Sequence, residues 1–271
     1  MVLRSLVLTA LLVTPACGFT AGNGTGDDVT PGDDTQPQPQ PLARKCAVGD
    51  STLRLCIDFD DDQMLTSDGS GLGHDAIGTG YMVTTRKTEQ AVMVDATTQL
   101  VVAETPDLDI QNNLTITLMA RPSSYPAMGQ AYWALDNNKQ YFISYQHDGK
   151  FRCGIGNMVV DSAVGMTKDS WYQIACTYDR GTLKLFIEGQ LAGCKTVPAI
   201  PIDGMEGLAI GGNIGTNSVF SEQFVGGLDN IQVFARTYTM DQVCTAAGKS
   251  DCFQGWGGFR VGPGGGENGC S

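Results

Sequence analysis

Histidine is nearly missing from this chain of 271 residues, which has two, at positions 74 and 147. That leaves no set of imidazoles from which to build a transition-metal site. Positive charge is thin as well: 17 Lys and Arg stand against 29 Asp and Glu, a formal net charge of −12. Such a balance repels phosphate backbones and argues against nucleic acid as a partner. No Cys-x-x-Cys, Gly-x-Ser-x-Gly or paired-His zinc motif occurs, so the common thiolate zinc sites, hydrolase elbows and zinc proteases find no footing. The two histidines are expected on the solvated surface. Nowhere is there an apolar run of the roughly 20 residues that a membrane-spanning helix needs. What the chain does have is 35 Gly and nine Cys. Nine cysteines point to an oxidising compartment, and an odd number means that at least one has a fate other than an intrachain disulfide.

The odd cysteine is found at the N-terminus. Residues 1–17, MVLRSLVLTALLVTPAC, place Arg4 before a short, mostly apolar stretch, the pattern of a secretory signal. The stretch ends at Thr14-Pro15-Ala16-Cys17-Gly18, which resembles a bacterial lipobox, in which the cysteine is lipidated and becomes the new N-terminus. Cleavage after Ala16 by an ordinary signal peptidase is the alternative. Cysteine arithmetic favours the lipid, because removing Cys17 leaves eight cysteines that can all pair. Gly18 resembles outer-membrane sorting more than inner-membrane retention. The expectation is a secreted lipoprotein on the bacterial outer membrane or cell surface, in contact with membrane through its N-terminal lipid only.

Residues 18–45 change character, to Gly, Asp, Thr, Gln and Pro with almost nothing apolar. Such a segment buries too little surface to offset its ordering entropy. The Gln-Pro alternation at 36–41 favours polyproline II, the conformation of a semi-rigid tether. From Cys46 the pattern is that of short strands. Leu53, Leu55, Ile57 and Phe59 alternate with polar residues, as do Leu114, Ile116 and Leu118, a period of two. Further candidate strands are 130–135, 140–145, 150–155, 171–178, 183–187, 190–195, 207–211 and 223–234, separated by turn signals such as Asp148-Gly149 and Glu188-Gly189. One helix is expected after Thr239, whose capping box runs to Gln242 and whose stop is Gly248. The reading is all-β: a domain over 46–252, then a glycine-rich tail over 253–271.

The runs WYQIACTYD (171–179) and LKLFIEG (183–189), then LAIGGN (208–213) and FVGGLDNIQVFAR (224–236), occur in that order. They resemble the strands of the laminin G-like, concanavalin A-type jelly roll. Residues 55–59, the loop at 67–76 and 108–122 resemble its earlier strands and loop, with Met119 where the family often has tryptophan. The resemblance implies an all-β fold, a two-sheet antiparallel jelly-roll sandwich with one short C-terminal helix. It also implies, in most members, a non-catalytic module that binds carbohydrate or protein. Glucanases of this fold carry a Glu-x-Asp-x-x-Glu strand, and no such triplet is present here.

In this family calcium commonly lies between the loop after the first strand and the aspartate of the closing strand. The matching positions are Asp68, the carbonyls of 69–73 and Asp229, with Asp60 nearby. Calcium wants six to eight oxygens from such loops; the alternative is that these acids form turns and carry solubilising charge. The fold likewise suggests disulfides Cys153–Cys176, Cys56–Cys244, Cys46–Cys252 and Cys194–Cys270, whose connectivity the sequence alone leaves open. Sugar binding would use exposed aromatics, the candidates being Tyr81, Tyr125, Tyr132, Trp133 and Trp256, with core the expectation for Trp133 and Trp171. The functional expectation is a binding module for a glycan or a cell-surface protein. A structural envelope lipoprotein without a glycan ligand comes second and a polysaccharide-active enzyme third.

Overall fold

The period-two runs fold as strands. A computed structural model of the chain describes residues 46, 49–60, 64–138, 140–197, 206–215, 217–252 and 270. The strands are β1 (Leu53–Ile57), β2 (Ala76–Thr79), β3 (Met82–Arg86), β4 (Glu89–Val94), β5 (Gln99–Val102), β6 (Asn113–Pro122), β7 (Ala131–Asp136), β8 (Tyr141–Gln146) and β9 (Phe151–Ile155). After these come β10 (Met158–Asp161), β11 (Tyr172–Asp179), β12 (Thr182–Ile187), β13 (Gln190–Thr196), β14 (Leu208–Ile210), β15 (Asn213–Gly215), β16 (Val219–Ser221) and β17 (Gly226–Phe234). Among the described residues a single helix follows, α1 (Met240–Ala246).

Two sheets form the sandwich. One runs β13-β12-β11-β6-β17-β4-β3 with β1 also on β17, and the other runs β10-β9-β8-β7-β14-β5-β2. Neighbours are antiparallel, as β6 is to both β11 and β17. Alternation decides which side chains lie between the sheets. Leu114, Ile116, Leu118 and Ala120 of β6, with Ile174, Cys176 and Tyr178 of β11, meet Ile143, Tyr145 and Phe151 from the facing sheet. Each large apolar side chain buried in this way contributes roughly 1.5–3 kcal/mol. The opposite parity of the same strands, Thr117 and Met119 with Gln173 and Ala175, faces outward.

Turn and cap chemistry behave as the residues dictate. Glu188 and Gly189 join β12 to β13 with φ of 53° and 76°, the pair of positive values of a type I′ hairpin. The α1 capping box forms, with the Thr239 hydroxyl accepting from Gln242 N–H and the Gln242 side chain accepting from Thr239 N–H. The helix packs Val243 on Ala175, Phe186 and Leu191, so it covers part of the outer face of the larger sheet.

The structure pairs Cys153 with Cys176 and Cys194 with Cys270, but the other four cysteines join differently from expectation. Cys46 bonds Cys56, and Cys244 bonds Cys252. The reason lies in the strand order. Helix α1 carries Cys244 over β11 to β13, whereas Cys56 sits on β1, with β6 and β17 lying between. Nor are β9 and β11 side-by-side neighbours: they belong to opposite sheets, and Cys153–Cys176 crosses the core. The signal, the tether, Cys17 and, apart from Cys270, the tail lie outside the described residues.

Candidate functional site

The acids suggested by the calcium expectation are engaged elsewhere. Asp68 closes its own loop: Oδ1 accepts from Cys56 N and Ser70 N, each at 2.9 Å, and Oδ2 from Ser70 Oγ and from His74 N at 3.0 Å. Asp60 Oδ1 accepts from Gln90 N at 2.8 Å. Asp229 is wholly buried on β17, where Arg86 Nε donates to one carboxylate oxygen and Asn230 N, at 2.7 Å, to the other. Arg86 also pairs with Glu89, at 2.6 Å. Burial pushes the Asp229 carboxyl up to about 7, with Arg86 opposing the rise and the Asp60 charge adding to it. Asp60 therefore does come near Asp229, but a guanidinium stands where a cation would.

These residues do not fit calcium, which needs free oxygen lone pairs and here meets N–H and O–H donors. Among the described residues no group of three or more His, Cys, Asp and Glu converges on a metal position. Millimolar calcium, or its removal by chelator, is therefore expected to leave the melting temperature unchanged within about 1 °C, since a ligand bound to the folded state would raise it. A rise of several degrees would overturn this account.

The histidines are not alike. His74 is buried, with Nδ1 at 2.6 Å from the Arg54 carbonyl and Nε2 near Thr105 and Asp107, so the expectation of a solvated residue fails there. It ties loops together. His147 is exposed.

The outer face of the larger sheet, left open beside α1, forms a groove of about 590 Å³. Its floor is made by Thr117 and Met119 of β6, Gln173 of β11, and Asn230 and Gln232 of β17. Trp171, just before β11, stands at one side with Arg86 and Lys87; the C-terminal end of α1 and Lys249 stand at the other. Trp171 was expected in the core, yet it lies half-buried on the outer face, its ring near Gly227. Its indole has Arg121 and Arg86 guanidinium carbons at 5.4 and 6.0 Å from the ring centroid, cation–π partners that hold it. Parity along β11 was the signal that sequence reading missed. Ile174, Cys176 and Tyr178 face inward, so Gln173 and Trp171 must face out.

The floor contains an uncompensated amide. Gln173 is 7% exposed, and neither its Oε1 nor its Nε2 has a hydrogen-bond partner in the protein. Asn230 Oδ1 is likewise buried without a partner. The Gln173 backbone is fully used, its N–H donating to Glu188 Oε1 at 2.7 Å and its carbonyl accepting from Glu188 N at 2.8 Å. Glu188 Oε2 pairs with Lys249 at 3.1 Å. Backbone and neighbours thus lock the residue while its amide head stays unpaired, at a cost typically of about 1–3 kcal/mol.

The other candidate aromatics divide. Tyr81 and Tyr132 pack partly buried against the core. Trp133 is buried as expected and donates from Nε1 to Glu222 at 3.1 Å. Tyr125 is 45% exposed, and Trp256 lies outside the described residues.

Residues 95–244, more than half of the chain, match the family model for the laminin G type of the concanavalin A-like lectin/glucanases superfamily. No curated protein matches by sequence. Among solved structures, the binding domain of Paraclostridial Mosquitocidal Protein 1 superposes with a TM-score of 0.59 at 16% identity, over 72% of this chain and 52% of that one. Domain 4 of AbnA, a GH43 extracellular arabinanase from Geobacillus stearothermophilus solved with arabinotriose, gives 0.56 at 18% identity, over 72% of this chain and 98% of that domain. A botulinum neurotoxin type C structure, whose cell entry depends on two ganglioside molecules, gives 0.55 at 11% identity, over 73% and 51%. The chain spans about half the length of those two toxin chains and nearly all of the arabinanase domain. At these identities the likeness is one of fold. The sandwich, its closing strand β17 and the matched sequence agree: the chain belongs to the concanavalin A-like lectin/glucanases superfamily.

Proposed function

We propose that this domain is a non-catalytic carbohydrate-binding module that holds its glycan in the groove beside Trp171. The carrying observation is the Gln173 amide, buried and unpaired on the floor. Such an amide offers one acceptor and two donors, and a sugar hydroxyl both donates and accepts. The apolar face of a sugar ring packs on an aromatic edge or face, and Trp171 supplies the aromatic. A site of mostly apolar walls with a few convergent polar groups is the usual form of a ligand pocket. Among the described residues Glu188 is the single carboxylate lining this groove, and its two oxygens are engaged by Gln173 N and Lys249. Glycoside hydrolysis ordinarily needs two carboxylates flanking the bond, which favours binding over cleavage. In this reading the signal is removed at Cys17, the cysteine carries lipid, and residues 18–45 hold the module away from a bacterial outer membrane.

Gln173→Leu separates a binding role from a structural one. Replacing an unpaired buried amide by an apolar group of similar shape is neutral or stabilising. The variant should therefore melt at or above the wild-type temperature while losing at least about tenfold in glycan affinity on an oligosaccharide array, roughly 1.4 kcal/mol. Trp171→Ala should weaken the same glycans. Silence of the wild type on every glycan would sink the reading and leave a protein partner or a structural role.

A further inference from the structure

A second depression, of about 240 Å³, lies where the β6–β7 connection, the β8–β9 turn and the loop before Trp171 meet. Among the described residues its one tyrosine, phenylalanine or tryptophan is Tyr125, and Asp148, His147 and Thr167 supply polar side chains. The tyrosine is exposed but not loose. Its ring stacks on Tyr145, with centroids 5.9 Å apart and planes at 18°. Tyr145 is itself wholly buried and donates its hydroxyl to the Met166 carbonyl at 2.9 Å. Met166 N in turn donates to the Gly149 carbonyl at 2.6 Å, lacing the two loops together.

Two glycines permit this closeness. A Cβ at Gly149, whose φ is 81°, would stand 3.2 Å from the Tyr125 ring and 3.0 Å from the Met166 carbonyl. One at Gly165 would stand 2.6 Å from the Asp148 carbonyl. The Thr167 hydroxyl is held 2.8 Å from the Tyr172 hydroxyl. The result is a rigid, solvent-facing aromatic platform with hydroxyl, imidazole and carboxylate groups around it. An aromatic face with oxygen acceptors beside it suits a sugar ring, whose C–H face stacks while its hydroxyls donate outward. Asp148 is paired with Lys150 at 3.0 Å, so the local site carries little net charge, and the chain's overall −12 disfavours an anionic sugar.

We infer that the Tyr125 depression is a second sugar subsite, separate from the Trp171 groove and taking one neutral sugar ring on the tyrosine face. The inference rests on the carbohydrate-binding reading above. Two side chains make the sites separately observable. His147 is one of only two histidines, and its partner His74 is buried, so the His147 ring C–H signal reports the depression. The Trp171 indole N–H reports the groove.

The test is an NMR titration of the full mature chain with a panel of neutral methyl glycosides and with arabinotriose. For at least one of these probes the His147 signal should move saturably. Tyr125→Ala should abolish that movement without altering the Trp171 response, Tyr125→Phe should retain it, and Trp171→Ala should leave it intact. The inference fails if the Trp171 signal responds while His147 stays still, or if the His147 response survives Tyr125→Ala. If neither signal responds to any probe, the carbohydrate reading fails and takes this one with it.

Discussion

Replacing Arg86 by alanine is expected to remove about 3–5 kcal/mol of folding stability at about pH 8, the usual consequence of stranding one member of a buried ion pair. Arg86 is 5% exposed and Asp229 wholly buried. Without the guanidinium, one Asp229 oxygen keeps only the desolvated interior around it, while the other still accepts from Asn230 N. The loss should depend on pH. The Asp229 carboxyl is raised from an ordinary value of 3.8 to about 7 in the folded chain. Between those values the folded state holds a proton that the unfolded state has released. Stability from this group is therefore greatest at low pH, falls as pH rises through that window, and levels off once the folded carboxyl ionises.

In Arg86→Ala only the Asn230 N–H still opposes desolvation, so the folded carboxyl keeps its proton to still higher pH and the penalty continues to grow above the wild-type window. Near about pH 5.5 both proteins hold Asp229 neutral, and the difference should shrink to the lost Glu89 bond and the contact with Trp171. Urea titrations at the two pH values measure this. Equal losses at both would mean that Arg86 acts through packing and not through charge.

How much of this could be read in the chain depends on distance along it. Strands β1, β6, β11, β12 and β17 announce themselves because one face is core and the other solvent, so their residues alternate. Strands β2 and β3 do not. They lie at the sheet edges, and Ile77, Met82 and Val83 are 74%, 63% and 60% exposed, so apolar residues there do not mark the inside. The α1 cap is legible because all its partners lie within four residues. The site is not, since its members come from separate strands. Arg86 and Asp229 are 143 positions apart and meet only because β17 pairs with β4, which carries β3 at its edge.

The calcium expectation centred on the same place. It put a cation beside Asp229, whereas this chain puts Arg86 there, and one residue further along, Lys87 lines the groove. Asn230 follows Asp229 at φ of 49° and also lines the groove. The buried pair thus sits directly beneath the surface proposed to bind sugar.

Removing the disulfide across the core, as Cys153→Ala with Cys176→Ala, should cost about 3 kcal/mol from chain entropy alone. That figure follows from the loop-closure relation for its separation of 23 residues. Further loss is expected because both sulfurs are wholly buried in the main cluster, and deleting them leaves a void that the packed sheets cannot fully close. The comparison that isolates this second contribution is Cys46→Ala with Cys56→Ala. That bridge spans 10 residues and lies outside the main core: Cys46 is only half-buried, and Cys56, though buried, belongs to a small satellite cluster.

The same relation puts its entropic share within about 1 kcal/mol of the other, so any larger gap must come from the core. Denaturant midpoints for the two double variants should therefore differ, the core pair falling further. Equal midpoint shifts would show that the bridge only restrains the unfolded chain. A larger fall would show that Cys153–Cys176 also fills the space between β9 and β11. Since β11 carries Gln173 and continues from Trp171, it would also tie the groove to the facing sheet.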